Sequence, residues 1–105
     1  MSDLALLQVT FASAEEAEQV ARIVIEERLA ACANVMASCT SIYRWGDSIE
    51  QDVEVPVLFK TAMVHALRLR DRIAELHSYE LPVIELWPAA STDDVLAWVD
   101  AATGA

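Results

Sequence analysis

Three residues of this 105-residue chain carry donors suited to a transition metal: His77, Glu80 and Cys32. His77 and Glu80 stand three positions apart at the end of a helical pattern. An imidazole and a carboxylate at that spacing can share one ion, with the Cys32 thiolate as a soft third ligand, a set that suits Cu(II) or another divalent cation. Each residue also has a plainer use. A histidine at a helix C-terminus meets the negative end of the dipole, and a lone cysteine behaves as a small buried hydrophobe. His65, near a helix start, is expected to face solvent. A second group joins the amphipathic aromatics Tyr43, Trp45, Tyr79 and Trp98 to the charges of Lys60, Glu54 and Glu80. Such a mixture lines a cleft between subunits, with Lys60 taking an anion or a carboxylate, or forms an oligomer interface with one Lys–Glu bridge.

Catalysis finds little support. There is no Ser–His–Asp spacing, no Gly-rich phosphate loop and no His-Glu-x-x-His. Two glycines in 105 residues leave almost no backbone to cradle phosphate. The expectation is a protein that is not an enzyme and needs no organic cofactor.

Charge narrows the partners. The formal net charge is −10 and the isoelectric point about 4.3, so nucleic-acid phosphates are repelled. An acidic surface gathers cations, metal ions included, and also keeps a protein soluble. The chain is 55% hydrophobic, ample for a core and contrary to disorder. Its apolar runs, such as Ala5-Leu6-Leu7, are far too short to span a membrane. The start Met1-Ser2-Asp3 lacks the basic residues of a signal peptide, so the expected location is cytoplasmic. Length predicts one domain over residues 1–105. Cys32 and Cys39, on one extended segment, would lie ~23 Å apart, beyond the ~7 Å a disulfide tolerates. Free thiols suit a reducing compartment. No Cys-x-x-Cys marks a zinc site.

The elements that must position these residues centre on residues 31–60. Two long strands, 31–45 and 49–61, meet at a turn over Trp45-Gly46-Asp47-Ser48. In the second, Val53, Val55, Val57 and Phe59 alternate with Glu54, Pro56, Leu58 and Lys60, which is strand period. Fifteen extended residues span ~50 Å, whereas a compact chain of this length is only ~30–35 Å across. The hairpin must therefore bend or project. Ala37-Ser38 is the expected bulge, with Pro56 a second disturbance. A projecting ribbon would expose apolar edge at Tyr43, Trp45, Val55 and Phe59, and soluble monomers avoid that. The inference is pairing with other copies.

Around the hairpin, residues 5–11 read as a central strand. Ser13 and Glu16 form a capping box for a helix to about Arg28, with Ala17, Val20, Ala21, Val24 and Ile25 inward. A second helix spans about 64–77. A strand at 83–87 closes at Pro88, and a last helix starts at Ser91-Thr92-Asp93-Asp94 and frays over 101–105. The order βαββαβ plus a terminal helix predicts an α+β, ferredoxin-like sandwich with a long central hairpin.

Several segments in this order resemble the CutA family, named for divalent-cation tolerance. They are Glu27-Arg28-Leu29-Ala30-Ala31-Cys32-Ala33-Asn34, Ser41-Ile42-Tyr43-Arg44-Trp45 and Ile49-Glu50-Gln51-Asp52-Val53-Glu54. Lys60-Thr61, His77-Ser78-Tyr79-Glu80-Leu81-Pro82 and Leu96-Ala97-Trp98 follow. The resemblance implies a ferredoxin-like subunit, a tight homotrimer built by edge-to-edge pairing of the hairpins, and kinship in fold with PII-like signalling trimers. It implies a role in divalent-cation tolerance, with weak copper binding. The alternatives are a PII-like sensor with a small ligand in inter-subunit clefts, or a scaffold. The chain departs from the family pattern at Ala37-Ser38, usually Pro-Gly, and at Ser78, usually Pro. Of the three copper ligands proposed for some members, a Cys is replaced within Val9-Thr10-Phe11 and a Glu by Val83, so only His77 is kept.

Overall fold

The computed structural model describes residues 3–104. In chain order the elements are β1 (Asp3–Phe11), α1 (Ala14–Glu26), β2 (Cys32–Val35), β3 (Cys39–Trp45), β4 (Ser48–Ala62), a 3-10 turn (Met63–His65), α2 (Ala66–Leu76), β5 (Ile84–Ala90) and α3 (Asp93–Thr103). Alternation builds the sheet. Leu7, Val9 and Phe11 of β1 face the same way as Phe59, Val57 and Val55 of β4, directly opposite them in an antiparallel register. β5 pairs with the other edge of β1 and β2 with the other edge of β4, so the order is β2-β4-β1-β5, with β3 pairing along the rest of β4.

Both sheet faces carry helices. On one, Val20, Ala21 and Val24 of α1 and Leu69 and Ile73 of α2 close over the odd-numbered residues of β1 and β4. Each large aliphatic or aromatic side chain fully buried there contributes about 1.5–3 kcal/mol. Neighbouring residues of a strand point to opposite faces, so Leu4, Leu6 and Ala62 look the other way, and Val99, Val95 and Leu96 of α3 cover them. The result is an α+β subunit with a five-stranded antiparallel sheet and three helices.

The expected strand 31–45 is broken in two. Val35 pairs with Val57, but the next pair is Cys39 with Glu54. Three residues, 36–38, therefore stand opposite two, 55 and 56, which is a one-residue bulge at the expected place. Met36 N–H still donates to the Pro56 carbonyl, at 2.9 Å. The extra residue restores parity, so Cys32 and Cys39 share a sheet face despite their odd separation. Beyond the bulge the ribbon leaves the subunit, and the molecule measures 46 × 26 × 23 Å.

Other boundaries differ from expectation for local reasons. Val55 and Phe59, expected on an exposed hairpin edge, are 7% and 0% exposed, because that end of β4 lies under α1 and α2. Ile25, expected inward, is 40% exposed. The strand 83–87 runs through Pro88 to Ala90, tolerable because β5 is an edge strand needing no N–H on its outer side. Residues 63–65 form a 3-10 turn rather than the start of α2, and His65, expected in solvent, is half-buried there with Nδ1 unpartnered among the described residues. α3 holds to Thr103 instead of fraying from Ala101; Ala105 lies outside the described residues.

Candidate functional site

A cleft of about 980 Å³ lies at the root of the projecting hairpin. Register puts its wall together. Tyr43 faces Glu50, Ser41 faces Asp52 and Cys39 faces Glu54 across the β3–β4 ladder, and directly paired residues project from the same face. The second wall is the segment after α2, with Tyr79, Glu80, Leu81 and Val83, and the end of β1 supplies Thr10 and Ala12.

Hydroxyl-to-carboxylate bonds organise the interior. Tyr79 Oη donates to Glu54 Oε2 at 2.8 Å, and Tyr43 Oη donates to Asp52 Oδ2. The Asp52 hydrogen bond and nearby negative charge push the Tyr43 phenol up to about 12. Burial, followed by the Glu54 bond, raises that of Tyr79 further. Both phenols therefore remain neutral donors at physiological pH. Glu50, Asp52, Glu54 and Glu80 line the cleft with one cation, Arg44, and Trp45 forms an exposed aromatic wall. Four carboxylates among aromatic rings favour a cation.

The three expected metal donors are not brought together. His77 is 8% exposed and stacks on Phe11, centroids 4.6 Å apart. Its Nδ1 accepts from the Tyr79 N–H at 3.1 Å, and its Nε2 lies 2.8 Å from the Thr10 carbonyl. An imidazole that accepts at Nδ1 carries its proton on Nε2 and donates there, so no lone pair remains for a metal. The plainer expectation, a donor at His77 meeting the C-terminal end of the helix, is met by the backbone rather than by the ring. His77 caps α2 through its backbone N–H, to Ile73 O. Cys32 pairs with Lys60, which pairs with Leu6. Leu6 is four residues from Thr10, ~13 Å along β1. Glu80 is exposed in the cleft. Among the described residues no three His, Cys, Asp or Glu side chains form a metal-holding group.

The expected aromatic–charge cleft assembles in part. Tyr43, Trp45, Glu54 and Tyr79 line it. Lys60 does not, being six residues from Glu54 along β4, ~20 Å away. Trp98 lies on α3, half exposed, outside the cleft lining. Glu50, Asp52 and Arg44 were missed, although the spacing of Glu50, Asp52 and Glu54 by two residues already put three carboxylates on one face of a strand.

Comparison with known proteins bears on the whole chain. The family model described as CutA1 divalent ion tolerance protein matches residues 5–102. The divalent-cation tolerance protein CutA of Thermus thermophilus is 38% identical over 97 residues, 91% of this chain and 94% of that protein. The crystal structure of the divalent ion tolerance protein CutA1 from Ehrlichia chaffeensis superposes with a TM-score of 0.93 at 30% identity, covering 100% of this chain and 99% of that one. A structure from Archaeoglobus fulgidus, described as a periplasmic divalent cation tolerance protein CutA, gives 0.91 at 31% identity over 95% and 98% of the two chains.

Proposed function

The chain belongs to the CutA1 divalent-ion tolerance family, and from that premise we propose that it is a non-enzymatic homotrimer acting in divalent-cation tolerance in the cytoplasm. Its subunit is a ferredoxin-like sandwich akin to PII-like trimers. The observation that carries assembly is the hairpin. It extends beyond the subunit with Ile42, Ile49 and Val53 each about two-thirds exposed, and a partner's surface would cover them. The reduced cysteines fit a reducing compartment.

Metal contact in this reading is weak and runs through the cleft carboxylates Glu50, Asp52, Glu54 and Glu80, with His77 engaged by backbone groups and Cys32 remote. Calorimetric titration of the trimer with Cu(II) and Zn(II) tests it. Weak binding is expected, reduced by Glu50→Gln with Asp52→Asn and little altered by Cys32→Ser. Tight stoichiometric binding that survives loss of both carboxylates contradicts the assignment. The alternative, a PII-like sensor, is favoured by the size of the cleft and its paired tyrosine hydroxyls. A nucleotide panel in the same calorimeter separates the two, since phosphate-bearing ligands bind only if the sensor reading holds.

A further inference from the structure

The cleft at the hairpin root offers apolar surface and negative charge side by side. Its walls hold large apolar side chains left in water: Trp45 is 58%, Leu81 65% and Val83 61% exposed. Trp45 ends β3, whereas Leu81 and Val83 belong to the segment between α2 and β5. Apolar side chains gathered around one concavity mark a place where an apolar body docks.

A line of negative charge runs along the same cleft. Glu50, Asp52 and Glu54 stand two residues apart on β4, so their backbone positions rise ~7 Å per step on one face. Each is fixed by one hydroxyl. Ser48 Oγ donates to Glu50 Oε1 at 2.9 Å, Tyr43 Oη to Asp52 Oδ2, and Tyr79 Oη to Glu54 Oε2 at 2.8 Å. A carboxylate accepts at about four lone-pair positions, so each keeps room for an N–H donor. A metal ion draws its oxygens to about 2.0–2.6 Å, and among the described residues no three such groups gather around one point. The charge is instead spread along the wall. Arg44, the one cation in the lining, pairs with Ile49 on the ribbon's other face and leaves that line unmatched.

We infer that the cleft takes a linear aliphatic polyamine, a short alkyl chain carrying ammonium groups at intervals. The inference rests on the reading of this cleft as a cation site and names the class of cation. The ammonium groups donate charge-assisted hydrogen bonds to the spaced carboxylates. The methylenes between them lie against Trp45, Leu81 and Val83, and the indole face of Trp45 attracts an ammonium. A hydrated metal ion uses the charge and leaves the apolar walls wet. A neutral hydrocarbon uses the walls and leaves the charge unmatched. An anion is repelled. Binding is reversible and forms no covalent bond.

Calorimetric titration of the full chain with two trications, at neutral pH and fixed ionic strength, tests the inference. Spermidine carries its three charges on an alkyl chain, whereas hexaamminecobalt(III) carries three on a compact ion. Attraction to net charge alone treats them alike. The expected result is that spermidine binds about tenfold or more tighter. Leu81→Ser with Val83→Ser, neither in the buried core, should weaken spermidine by about threefold or more and leave the cobalt complex unchanged. Trp45→Ala repeats the test from the other wall should that variant fail to fold. The inference is overturned if the two trications bind alike, or if spermidine ignores the loss of the apolar walls. Glu50→Gln with Asp52→Asn separates it from the metal reading. If that variant loses Zn(II) but holds spermidine, the polyamine inference fails and the metal reading stands. If it loses spermidine but holds Zn(II), the inference stands and the metal reading fails.

Discussion

Ser78 stands where the family usually has proline, and its backbone shows what that exchange changes. Its N–H donates to Glu16 Oε2 at 2.9 Å, joining the end of α2 to the start of α1. Proline has no such donor. The backbone would otherwise accept one, because His77 has φ −72° and ψ 143°, the extended region that a residue before proline adopts. A hydrogen bond to a charged group contributes about 1.5–3 kcal/mol, less where solvent reaches it. Proline returns about 0.4–1 kcal/mol by restricting the unfolded chain. Ser78→Pro should therefore destabilise by about 1 kcal/mol and Ser78→Ala, which keeps the N–H, by less; urea unfolding at pH 7 decides, and a more stable Ser78→Pro would refute the bond's contribution. The pH dependence has a definite sign. Burial raises the Glu16 carboxyl, but hydrogen bonds from Ser78 and Ala12 and the proximity of His77 outweigh it, leaving the group below its ordinary 4.5. A depressed carboxyl stabilises the fold above its unfolded value and loses that contribution as pH falls through the folded one. Ser78→Pro should thus narrow its gap to the parent below about pH 4.5. Sequence revealed the Ser13 cap, whose oxygen accepts Glu16 N–H at 3.1 Å. It did not reveal that the Glu16 side chain bonds Ala12 N–H instead of closing the box on Ser13, or that it holds Ser78, because that partner is 62 residues away.

At the scale of elements, α1 ends in a way its composition conceals. The Arg28 N–H bonds Ile25 O and the Leu29 N–H bonds Val24 O, the paired bonds of a Schellman ending that normally places glycine in the left-handed region. Here the residue is Arg28, at φ 60°. A side chain in that region costs about 1–2 kcal/mol. The guanidinium supplies an offset: Nη1 donates to the carbonyls of Ala101, Ala102 and Gly104 at 3.4–3.5 Å. Those carbonyls end α3, whose last turn has no basic residue of its own, and a cation there contributes about 0.3–1 kcal/mol. Arg28→Ala keeps the strain and loses the cation, so it should destabilise by about 0.5–1 kcal/mol. Arg28→Gly loses both and should stay within about 1 kcal/mol of the parent. Denaturant midpoints of the two variants separate the effects, and an Arg28→Ala protein as stable as the parent would show that the guanidinium contributes nothing. The bulge at 36–38 was legible because an overlong strand has to break somewhere. The cap on α3 was not, since the pattern of α1 alone points only to a helix end near residue 28.

For the whole molecule, the decisive feature is a ribbon with two unlike faces. Register places Tyr43, Trp45, Glu50 and Asp52 on one, and Ile42, Ile49 and Val53 on the other. The overlong hairpin was evident from chain length and strand rise. Its apolar face was not, because Val55 and Phe59 continue the same alternation and only the bulge and the end of α1–α2 coverage decide where the core stops. Ile42, Ile49 and Val53 are 68%, 67% and 66% exposed, so burial against another subunit offers most of the ~1.5–3 kcal/mol available to each. Opposing this, every subunit carries a formal −10, and like charges repel across a trimer. Ile42→Ser with Val53→Ser should therefore weaken assembly while leaving the subunit fold intact, since neither side chain belongs to the buried core. Light scattering at micromolar concentration should give three times 11.5 kDa for the parent and a lower, concentration-dependent mass for the variant. Added salt should raise the variant's mass by screening the repulsion, because the Debye length shrinks from ~10 Å at 0.1 M to ~3 Å at 1 M. Its melting temperature should depend on concentration where the parent's does not, as dissociation then precedes unfolding. A variant that stays trimeric at nanomolar concentration and melts like the parent would remove this face from the interface, and the opposite face, with Tyr43 and Trp45, would become the surface to test.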